Sequence, residues 1–212
     1  LLGGYNSDCS ARVIKPDNTV FDADAADIVR IQPINDLLIE GIRFQNVGNS
    51  KQVQVLAAAA GVTASLRNNA FVGVSSWNVP GPTPDRGSAS DMAINFLNNR
   101  VHGFPGFASV SAVYMGAMSS IRFTGNTIVD NQGESGVYIC SSSSNVWLLD
   151  NIAWNNNGQD FRVYEDCGDT DLGEARFRAN LYQSAQLTPI SDSGDNLVGS
   201  DPQFINSGAG NY

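Results

Sequence analysis

The feature that most constrains the fold of this chain is a short motif that recurs along it. An alternating apolar run reaches a single asparagine, and a second short apolar run leaves it, as in residues 120–131. The slot of the asparagine is filled in turn by Gly41, Asn69, Asn99, Asn126, Asn151 and Asn180. The steps between these positions are 28, 30, 27, 25 and 29 residues. A period of about 20 to 50 residues is typical of solenoids, in which each repeat packs on its neighbours.

A second series of strands keeps step with the first. Alternation of apolar and polar residues predicts short strands near 52–56, 112–116, 136–140 and 161–165. Strands this short cannot bury a face alone, but coils stacked about 4.8 Å apart pair each strand in parallel with its counterparts above and below. The sequence therefore predicts an all-β fold, a parallel β-solenoid of about six coils.

The recurring asparagines predict a ladder inside this solenoid. Stacked Asn side chains can hydrogen-bond from coil to coil, and Asn tolerates the left-handed backbone that tight turns need. Gly41 would meet the backbone requirement but not the side-chain one. The role expected for Asn126 is therefore structural, fixing the shape of its turn and the register of its coil.

The 212 residues fit one elongated solenoid. We predict a strand and loop leading into the coils at residues 1–26, the β-helix coils at 27–190, and a strand–turn segment with a tail at 191–212. Residues 75–91 contain three prolines and lack periodicity, which predicts a loop inserted into one coil. The chain opens at Leu1 without a recognisable signal peptide, so we expect a processed product or part of a longer protein.

Charge and hydropathy exclude two classes of partner. The formal net charge is −9, and the chain has no basic stripe that could neutralise phosphates, so nucleic-acid binding is not expected. A run of 18 apolar residues is absent from the sequence, so no membrane-spanning segment is predicted. An open solenoid also ends in exposed strand edges, so end-to-end self-association is expected unless the ends are capped.

The repeat resembles a known family. Five segments are similar to those of single-stranded right-handed parallel β-helix proteins of the pectate-lyase-like superfamily. They are Gly3 to Asn6, Asn18 to Asp22, Leu38 to Phe44, Gly125 to Asn131 and Asp201 to Phe204. More narrowly, they resemble secreted bacterial repeat proteins of the choice-of-anchor Q type. The resemblance covers most of the chain. It implies a secreted or cell-surface protein in bacteria, with its signal and anchor outside this sequence.

Polysaccharide is the partner that the resemblance implies. The leading hypothesis is a module that binds polysaccharide or a surface partner without clear catalytic residues. The alternative is a polysaccharide lyase or glycoside hydrolase that acts on acidic polysaccharide with Ca²⁺. The family's catalytic motifs cannot be matched residue by residue, so the catalytic residues remain unknown. A third hypothesis, an ice-binding or self-assembling solenoid, would need ranks of Thr, which is scarce here.

Arginine and aromatic residues near the strands are the candidate ligand-binding groups. Arginines recur near the strands at positions 43, 67, 100, 122, 162, 176 and 178. Outward arginines on neighbouring coils could bind sugar carboxylates in bidentate fashion, and the leading candidates are Arg100, Arg122 and Arg162. Trp77 lies in the irregular loop and could stack on a sugar ring. The commoner role of such arginines is to cover apolar surface or to pair with nearby Asp, and aromatic residues in strands more often lie inside the core. We expect one of Trp147 and Trp154 to point inward and the other outward.

An acidic cluster surrounds Cys167 and could hold Ca²⁺, the one cofactor considered. Its residues are Glu165, Asp166, Asp169 and Asp171, followed by Glu174. The alternative is a solvated acidic turn, which is the usual role of such runs. Cys140 and Cys167 lie about one coil apart, so a disulfide between them is a prediction, with Cys9 then unpaired or paired with a cysteine outside this sequence. His102, the only histidine, is expected to be structural and at the surface.

Overall fold

The computed structural model describes residues 1–5, 8, 10–22, 29–45, 53–56, 59–73, 82–85, 92–104, 111–115, 119–140, 145–164, 174–188, 190 and 194–204. In these ranges the regular structure is β-strand, apart from one short 3-10 helix at Pro16–Asn18. Every pairing between strands is parallel, and consecutive partners lie one coil apart in the chain. The predicted all-β parallel solenoid is therefore confirmed.

Two long sheets run along the solenoid, and strands are numbered in chain order. The six-stranded sheet contains β3 (Leu37–Glu40), β6 (Thr63–Arg67), β9 (Ala93–Leu97), β12 (Ser120–Thr124), β15 (Asn145–Leu149) and β18 (Ala175–Arg178). The eight-stranded sheet contains β1 (Val20–Asp22), β4 (Arg43–Gln45), β7 (Ala70–Val72), β10 (Arg100–His102), β13 (Thr127–Val129), β16 (Ile152–Trp154), β19 (Leu181–Tyr182) and β21 (Leu197–Val198).

The third side of the solenoid is divided between two sheets. The four-stranded sheet contains β11 (Ser111–Met115), β14 (Ser135–Cys140), β17 (Gln159–Tyr164) and β20 (Ala185–Leu187). The three-stranded sheet contains β2 (Val29–Ile31), β5 (Val53–Leu56) and β8 (Pro82–Asp85). Four successive coils, from β9 to β20, place one strand in each of the six-, eight- and four-stranded sheets. This regular part forms about 4 turns, slightly fewer than the six coils predicted, because the two coils before it pass through the separate three-stranded sheet.

Part of the predicted loop at 75–91 is a strand. Pro82–Asp85 form β8, which pairs in parallel with β5, and the other residues of that segment lie outside the described ones. Proline has no N–H, and residues two apart in a strand direct their N–H groups to the same side. Pro82 and Pro84 therefore remove two donors from one side of β8. Strand β8 is the last strand of the three-stranded sheet, which is the edge position where prolines are tolerated in strands.

The core is built in layers, one for each coil. Each coil has a buried residue in the six-stranded sheet that is followed, five positions later, by a buried residue in the eight-stranded sheet. These buried pairs are Ile39 and Phe44, Leu66 and Phe71, Phe96 and Val101, Phe123 and Ile128, Leu148 and Ala153, and Phe177 and Tyr182. In the first four layers a phenylalanine is always paired with an aliphatic side chain, so the layer volume changes little.

The phenylalanine rings stack along the axis. Ring centroids are 5.3 Å apart for Phe44 and Phe71 and 5.1 Å apart for Phe96 and Phe123. Between these two pairs the column crosses from the eight-stranded to the six-stranded sheet, where Phe71 and Phe96 lie 5.8 Å apart. In the fifth coil the small Ala153 is accompanied by Phe161 from the four-stranded sheet, which contacts Phe177 of the next coil.

The predicted asparagine ladder is present, and Asn126 shows its pattern. The side-chain NH₂ of Asn126 donates to Oδ1 of Asn151 in the next coil, at 3.0 Å, and to the carbonyl of Phe96 in the previous coil, at 2.8 Å. Its own Oδ1 accepts from the backbone N–H of Asn99 at 2.8 Å and from the Asn99 side chain at 3.3 Å. The same bonds join all five predicted asparagines, which are at most 2% exposed. Asn196 extends the ladder, since its Oδ1 accepts from the backbone N–H of Asn180 at 2.7 Å.

Gly41 does not occupy the ladder slot, so that prediction was wrong by one position. Its φ of 70° places it with the left-handed residue that precedes each ladder asparagine. The equivalents in later coils are Asn68, Asn98, Gly125, Asp150, Ala179 and Asp195. The ladder slot of the first coil is Ile42, whose backbone N–H donates to Oδ1 of Asn69 at 3.1 Å. The left-handed turn and the ladder amide therefore belong to two successive residues.

A second, shorter ladder was not predicted. Asn131 donates its side-chain NH₂ to Oδ1 of Asn156 at 2.8 Å, and Asn156 donates in turn to Oδ1 of Asp160 at 2.8 Å. The backbone N–H of Phe104 donates to Oδ1 of Asn131 at 3.1 Å, as Ile42 does in the long ladder. Phe104, Asn131 and Asn156 each follow a residue with positive φ, and each lies five positions after a member of the long ladder.

Candidate functional site

The three predicted ligand-binding arginines lie on three different faces. Arg100 is on β10 of the eight-stranded sheet, Arg122 on β12 of the six-stranded sheet, and Arg162 on β17 of the four-stranded sheet. One groove therefore cannot gather them. The sheet that each arginine belongs to depends on its distance in sequence from the nearest ladder asparagine. Arg100 directly follows Asn99, whereas Arg122 lies four residues before Asn126.

The outward face of the six-stranded sheet presents the most coherent row of polar and aromatic side chains. The row, called here the central row, occupies the positions four before each ladder slot and consists of Leu38, Ser65, Asn95, Arg122, Trp147 and Arg176. Adjacent strands are about 4.8 Å apart, so Arg122, Trp147 and Arg176 follow one another at that spacing. A flat face with this regular spacing suits an extended ligand that runs along the solenoid axis.

Arg122 is the most available cation of the central row. It is exposed, and within the described part of the chain no ion pair or hydrogen bond holds its guanidinium. Trp147 beside it is half-buried, with its inward neighbours Val146 and Leu148 in the core. Arg176 is exposed and donates through Nε to the Glu174 carboxylate at 2.6 Å. Exposed pairs of this kind contribute little to stability and can exchange partners readily.

Arginine is the main charged residue of the six-stranded sheet. Its six strands carry the arginines 67, 122, 176 and 178 and a single carboxylate, Glu40. Arg67 is paired with Glu40, Arg176 with Glu174 and Arg178 with Asp195. Among these four arginines, Arg122 is therefore the one whose charge no described carboxylate offsets. Its guanidinium is the group of this face that favours an anionic ligand.

A pocket of about 520 Å³ adjoins the central row at β15 and β18. It is lined by Leu149, Asp150, Arg176, Arg178, Ala179 and Asp195. Arg178 and Asp195 form an exposed ion pair at 2.6 Å. The pocket thus brings two carboxylates and two guanidinium groups together at one end of the row.

Arg162 is engaged within its own face. Its guanidinium forms an ion pair with Glu134 and lies over the rings of Tyr138 and Tyr164, 5.2 and 4.6 Å from their centroids. Tyr114 continues this column, with its ring 5.6 Å from that of Tyr138. Arg162 therefore stabilises an aromatic column on the four-stranded sheet, a role of the kind that the sequence left open beside ligand binding.

Arg100 and Arg43 lie beneath the N-terminal segment. The carboxylate of Asp17 is 3.2 Å from Nη1 of Arg43 and 3.8 Å from Nη2 of Arg100. His102, two residues after Arg100, is half-buried. Burial and the charges of Arg100 and Arg43 lower the pKa of His102 to about 4, against the opposing charge of Asp130. His102 is therefore a neutral imidazole near neutral pH.

Several predicted site residues lie outside the described ones. These are Trp77, Glu165, Asp166, Asp169, Asp171 and Cys167, so the calcium cluster stays a prediction. Glu174, at the end of that cluster, pairs with Arg176. Among the residues that are described, no group of three or more His, Cys, Asp or Glu is placed to hold a metal ion. The described residues also contain no helix long and apolar enough to cross a bilayer.

Cys140 is disulfide-bonded, and both other cysteines, at 9 and 167, lie outside the described residues. Tyr164, three residues before position 167, is the register partner of Cys140, so the pairing with Cys167 stays the favoured prediction. The predicted split of Trp147 and Trp154 was wrong. Both occupy partly exposed outward positions, because the residues that point inward from their strands are Val146, Leu148 and Ala153.

No protein-family model matches the chain, and neither curated proteins nor solved structures show significant similarity to it. The fold and the geometry of its faces are therefore the basis for any functional assignment. Sequence reasoning did not single out Asn95, and it named Arg176 among the recurring arginines without placing it in the row of Arg122. The signal that could have found them is their common position, four residues before each ladder asparagine.

Proposed function

We propose that the chain is an exported or cell-surface β-helix module, of the pectate-lyase-like superfamily and choice-of-anchor Q type, that binds an anionic polysaccharide. The observation that carries this proposal is the central row, where Arg122, which no described carboxylate pairs, lies on the strand next to that of Trp147, with Arg176 on the strand beyond. No described residue is assigned a catalytic role in this function. The disulfide at Cys140 supports export, because disulfides persist mainly in oxidising compartments.

The chemistry of the row fits an acidic sugar chain. A guanidinium binds a carboxylate through two parallel N–H···O bonds, and Arg122 has this capacity free. The partly exposed indole of Trp147 offers an apolar surface for the C–H face of a sugar ring, while its N–H can bind a hydroxyl. Asn95 and Ser65 continue the row with groups that hydrogen-bond to hydroxyls. Carboxylates and ring faces along one polymer would thus meet alternating partners.

Binding can be tested by isothermal titration calorimetry with polygalacturonate and an uncharged glucan of similar length. We expect the charged polymer to bind and the uncharged one to bind at least about tenfold more weakly. Arg122→Gln and Trp147→Ala should each weaken binding by about tenfold, which corresponds to about 1.4 kcal/mol. The matched control is Arg30→Gln, since Arg30 is also exposed but lies on β2 of the three-stranded sheet.

Equal binding of the two polymers, or unchanged binding by Arg122→Gln, would contradict the proposed site. Raising the salt concentration should also weaken binding, because exposed charges are screened beyond about 8 to 10 Å at physiological ionic strength. Export has its own test. Full-length protein in its native cells should be recovered outside the cytoplasm or be accessible to added protease.

A catalytic alternative is kept because one pocket contains the required types of group. Asp150 and Asp195 line the pocket at the end of the central row together with Arg176 and Arg178. Paired carboxylates serve in glycoside hydrolysis, and the family resemblance includes lyases that use Ca²⁺ with an arginine base. Incubating the protein with uronate polymers, with and without Ca²⁺, and following ultraviolet-absorbing unsaturated product decides between these functions. Product that is lost in Asp195→Asn would replace the binding module by a lyase.

A further inference from the structure

The N-terminal segment forms one wall of a pocket of about 320 Å³ against the outside of the solenoid. That wall consists of Ile14, Lys15, Pro16 and Asp17, on and beside the short 3-10 helix. The floor is made by the turns at 68–69 and 98–99, and Arg100 and Thr127 close the other side. The pocket lies along the eight-stranded sheet and is separate from the central row on the six-stranded sheet.

Two arginines flank this place in the same row of the eight-stranded sheet. Arg43, Ala70 and Arg100 are register partners on successive strands. The two arginine Cα atoms are therefore about 10 Å apart, twice the spacing of neighbouring strands. The methyl side chain of Ala70 leaves space between the guanidinium groups, and a carboxylate of the chain itself, that of Asp17, reaches both of them there.

The carboxylate of Asp17 satisfies Arg100 poorly. Its oxygen is 3.8 Å from Nη2 of Arg100, which is longer than a hydrogen bond. Nε of Arg100 is buried and has no hydrogen-bond partner. Buried donors without a partner are rare in folded proteins and call for a specific explanation. Arg100 thus retains two adjacent N–H donors, on Nε and Nη2, beside a pocket large enough for a small molecule.

We infer that this pocket is a binding site for a small carboxylate ligand of about monosaccharide size, which Arg100 holds through two N–H···O bonds and for which Asp17 is an intramolecular competitor. A carboxylate is favoured over other groups because a carboxylate already sits between the two arginines. Lys15 adds a positive charge to the wall, and the hydroxyl of Thr127 offers a further polar contact. When the ligand binds, Asp17 keeps its pairing with Arg43 or turns to solvent, since its side chain is 45% exposed.

The chain contains a built-in reporter for this site. His102 is the only histidine, and burial, followed by the charges of Arg100 and Arg43, lowers its pKa to about 4. A bound carboxylate would offset those charges, so occupancy of the pocket should raise the pKa of His102. The ring of His102 can be followed by ¹H–¹⁵N NMR over a pH titration, first without ligand and then with saturating glucuronate, with glucose as the uncharged control.

Glucuronate is expected to raise the pKa of His102 measurably, and glucose is expected to leave it unchanged. Asp17→Asn removes the competitor and should bind glucuronate about tenfold more tightly, the factor that corresponds to about 1.4 kcal/mol. Arg100→Gln should abolish the glucuronate-dependent shift, while Arg30→Gln, an exposed arginine on another sheet, should retain it. Acetate serves as the minimal probe and should reproduce the direction of the shift at higher concentration.

Two results would overturn the inference. One is a His102 pKa that does not respond to glucuronate in either the unchanged protein or Asp17→Asn. The other is a shift that persists in Arg100→Gln with an unaltered glucuronate affinity. If Arg100→Gln does not fold, Asp17→Asn decides alone, since Asp17 is an exposed residue whose loss should leave the fold intact. None of these outcomes depends on whether the central row binds polysaccharide.

Discussion

The two asparagine ladders use the same bonds but end differently. The long ladder, from Asn69 to Asn196, is made of amides at every step. The short ladder ends at Asp160, whose Oδ1 accepts from Asn156 and whose Oδ2 accepts from the backbone N–H groups of Gln183 and Ser184 at 2.6 and 3.2 Å. A carboxylate accepts at both oxygens, whereas an amide has only one accepting oxygen. Asp160 therefore supplies one acceptor to Asn156 and a second to the backbone of the next coil.

The free-energy cost of burying a charged carboxylate depends on the groups around it. Asp160 is 1% exposed, and its burial raises the pKa of its carboxyl despite the hydrogen bonds that favour the charged form. Glu40 is equally buried and ends a chain of side-chain bonds that runs from Asn98 through Asn68 beside the long ladder. Burial also raises the pKa of Glu40, but the hydrogen bonds and charges of Arg12 and Arg67 outweigh it, so the pKa is lowered. Two carboxylates with the same exposure thus shift in opposite directions because only one of them has cationic partners.

The largest expected effect comes from breaking the long ladder at Asn126. Asn126→Leu leaves the N–H and NH₂ of Asn99 without their acceptor and the carbonyl of Phe96 without a donor. At roughly 1 to 3 kcal/mol for each buried unpaired group, the free energy of unfolding should fall by about 3 to 5 kcal/mol. Urea unfolding at pH 5 and pH 8 should give the same loss, since amides do not titrate. Asn157→Leu, at an exposed position, should cost less than about 0.5 kcal/mol, and a similar loss for both variants would refute the structural role of the ladder.

The next largest effect is expected for Glu40→Gln, which should lower the free energy of unfolding by about 2 to 3 kcal/mol at pH 7. Hydrogen bonds to charged groups contribute roughly 1.5 to 3 kcal/mol. Because the folded pKa of Glu40 lies below its ordinary value of 4.5, the advantage of the carboxylate is present above pH 4.5 and is lost as the pH falls through the folded value. Unfolding curves of both proteins between pH 3 and pH 7 measure this difference. A difference that stayed constant over the range would show that Arg12 and Arg67 do not govern the ionisation of Glu40.

Asp160→Asn should lower the free energy of unfolding by a smaller amount, about 1 to 2 kcal/mol, because the amide NH₂ cannot accept from Gln183 and Ser184. The pH dependence of this loss is expected to be opposite to that of Glu40→Gln. The folded pKa of Asp160 lies above its ordinary value of 3.8. The linked stability is therefore fully present below pH 3.8 and is lost as the pH rises through the folded value. The unfolding free energies of the two proteins should thus converge as the pH rises. Divergence over the same range would mean that cationic or hydrogen-bonding partners dominate Asp160 as they dominate Glu40.

The smallest effect concerns the left-handed residues before each ladder position. Ala179 adopts a φ of 54° and carries a methyl group, in a series otherwise occupied by Asn, Asp and Gly. Ala179→Gly should relieve this strain and raise the unfolding free energy by about 0.5 kcal/mol, after the entropic cost of glycine is subtracted. Ala175→Gly, in strand β18, is the control and should lower it. Thermal unfolding of both variants checks the sign at each position.

The sequence was sufficient for the fold and for the long ladder because both repeat with a period that survives differences in loop length. Gly41 was assigned to the ladder slot although it is the left-handed residue before that slot. Asn–Asn doublets such as Asn68–Asn69 do not show which residue has the left-handed backbone and which forms the ladder. The short ladder left a signal, five residues after Asn126 and Asn151, but only two asparagines repeat there. Strand β8 was missed because prolines argue against a central strand, whereas β8 lies at the edge of its sheet.

The candidate site was harder to predict because the face on which a residue lies depends on its position within the repeat, counted from the ladder asparagine, and not on which residues are near it in sequence. Arg100, Arg122 and Arg162 look equivalent along the chain, yet they belong to three sheets. Once the ladder fixes the phase, Trp147 and Arg176 fall into line with Arg122. The pocket beneath Asp17 could not be foreseen from any repeat, since the segment that forms it precedes the coils and lies across them.

The paired core positions have a consequence for how such a chain can change its length. In each of the first four layers the ring of one phenylalanine is matched by an aliphatic partner on the opposite sheet, so every layer fills a similar space. Duplicating one of these coils whose ladder slot holds an asparagine, at 69, 99 or 126, would add a layer with the same pairing of ring and aliphatic side chain, and the ladder would gain one more amide in register. Gene duplication or design can therefore lengthen this molecule in whole increments of about 4.8 Å, with the outer faces free to diverge while the interior tolerates the copy.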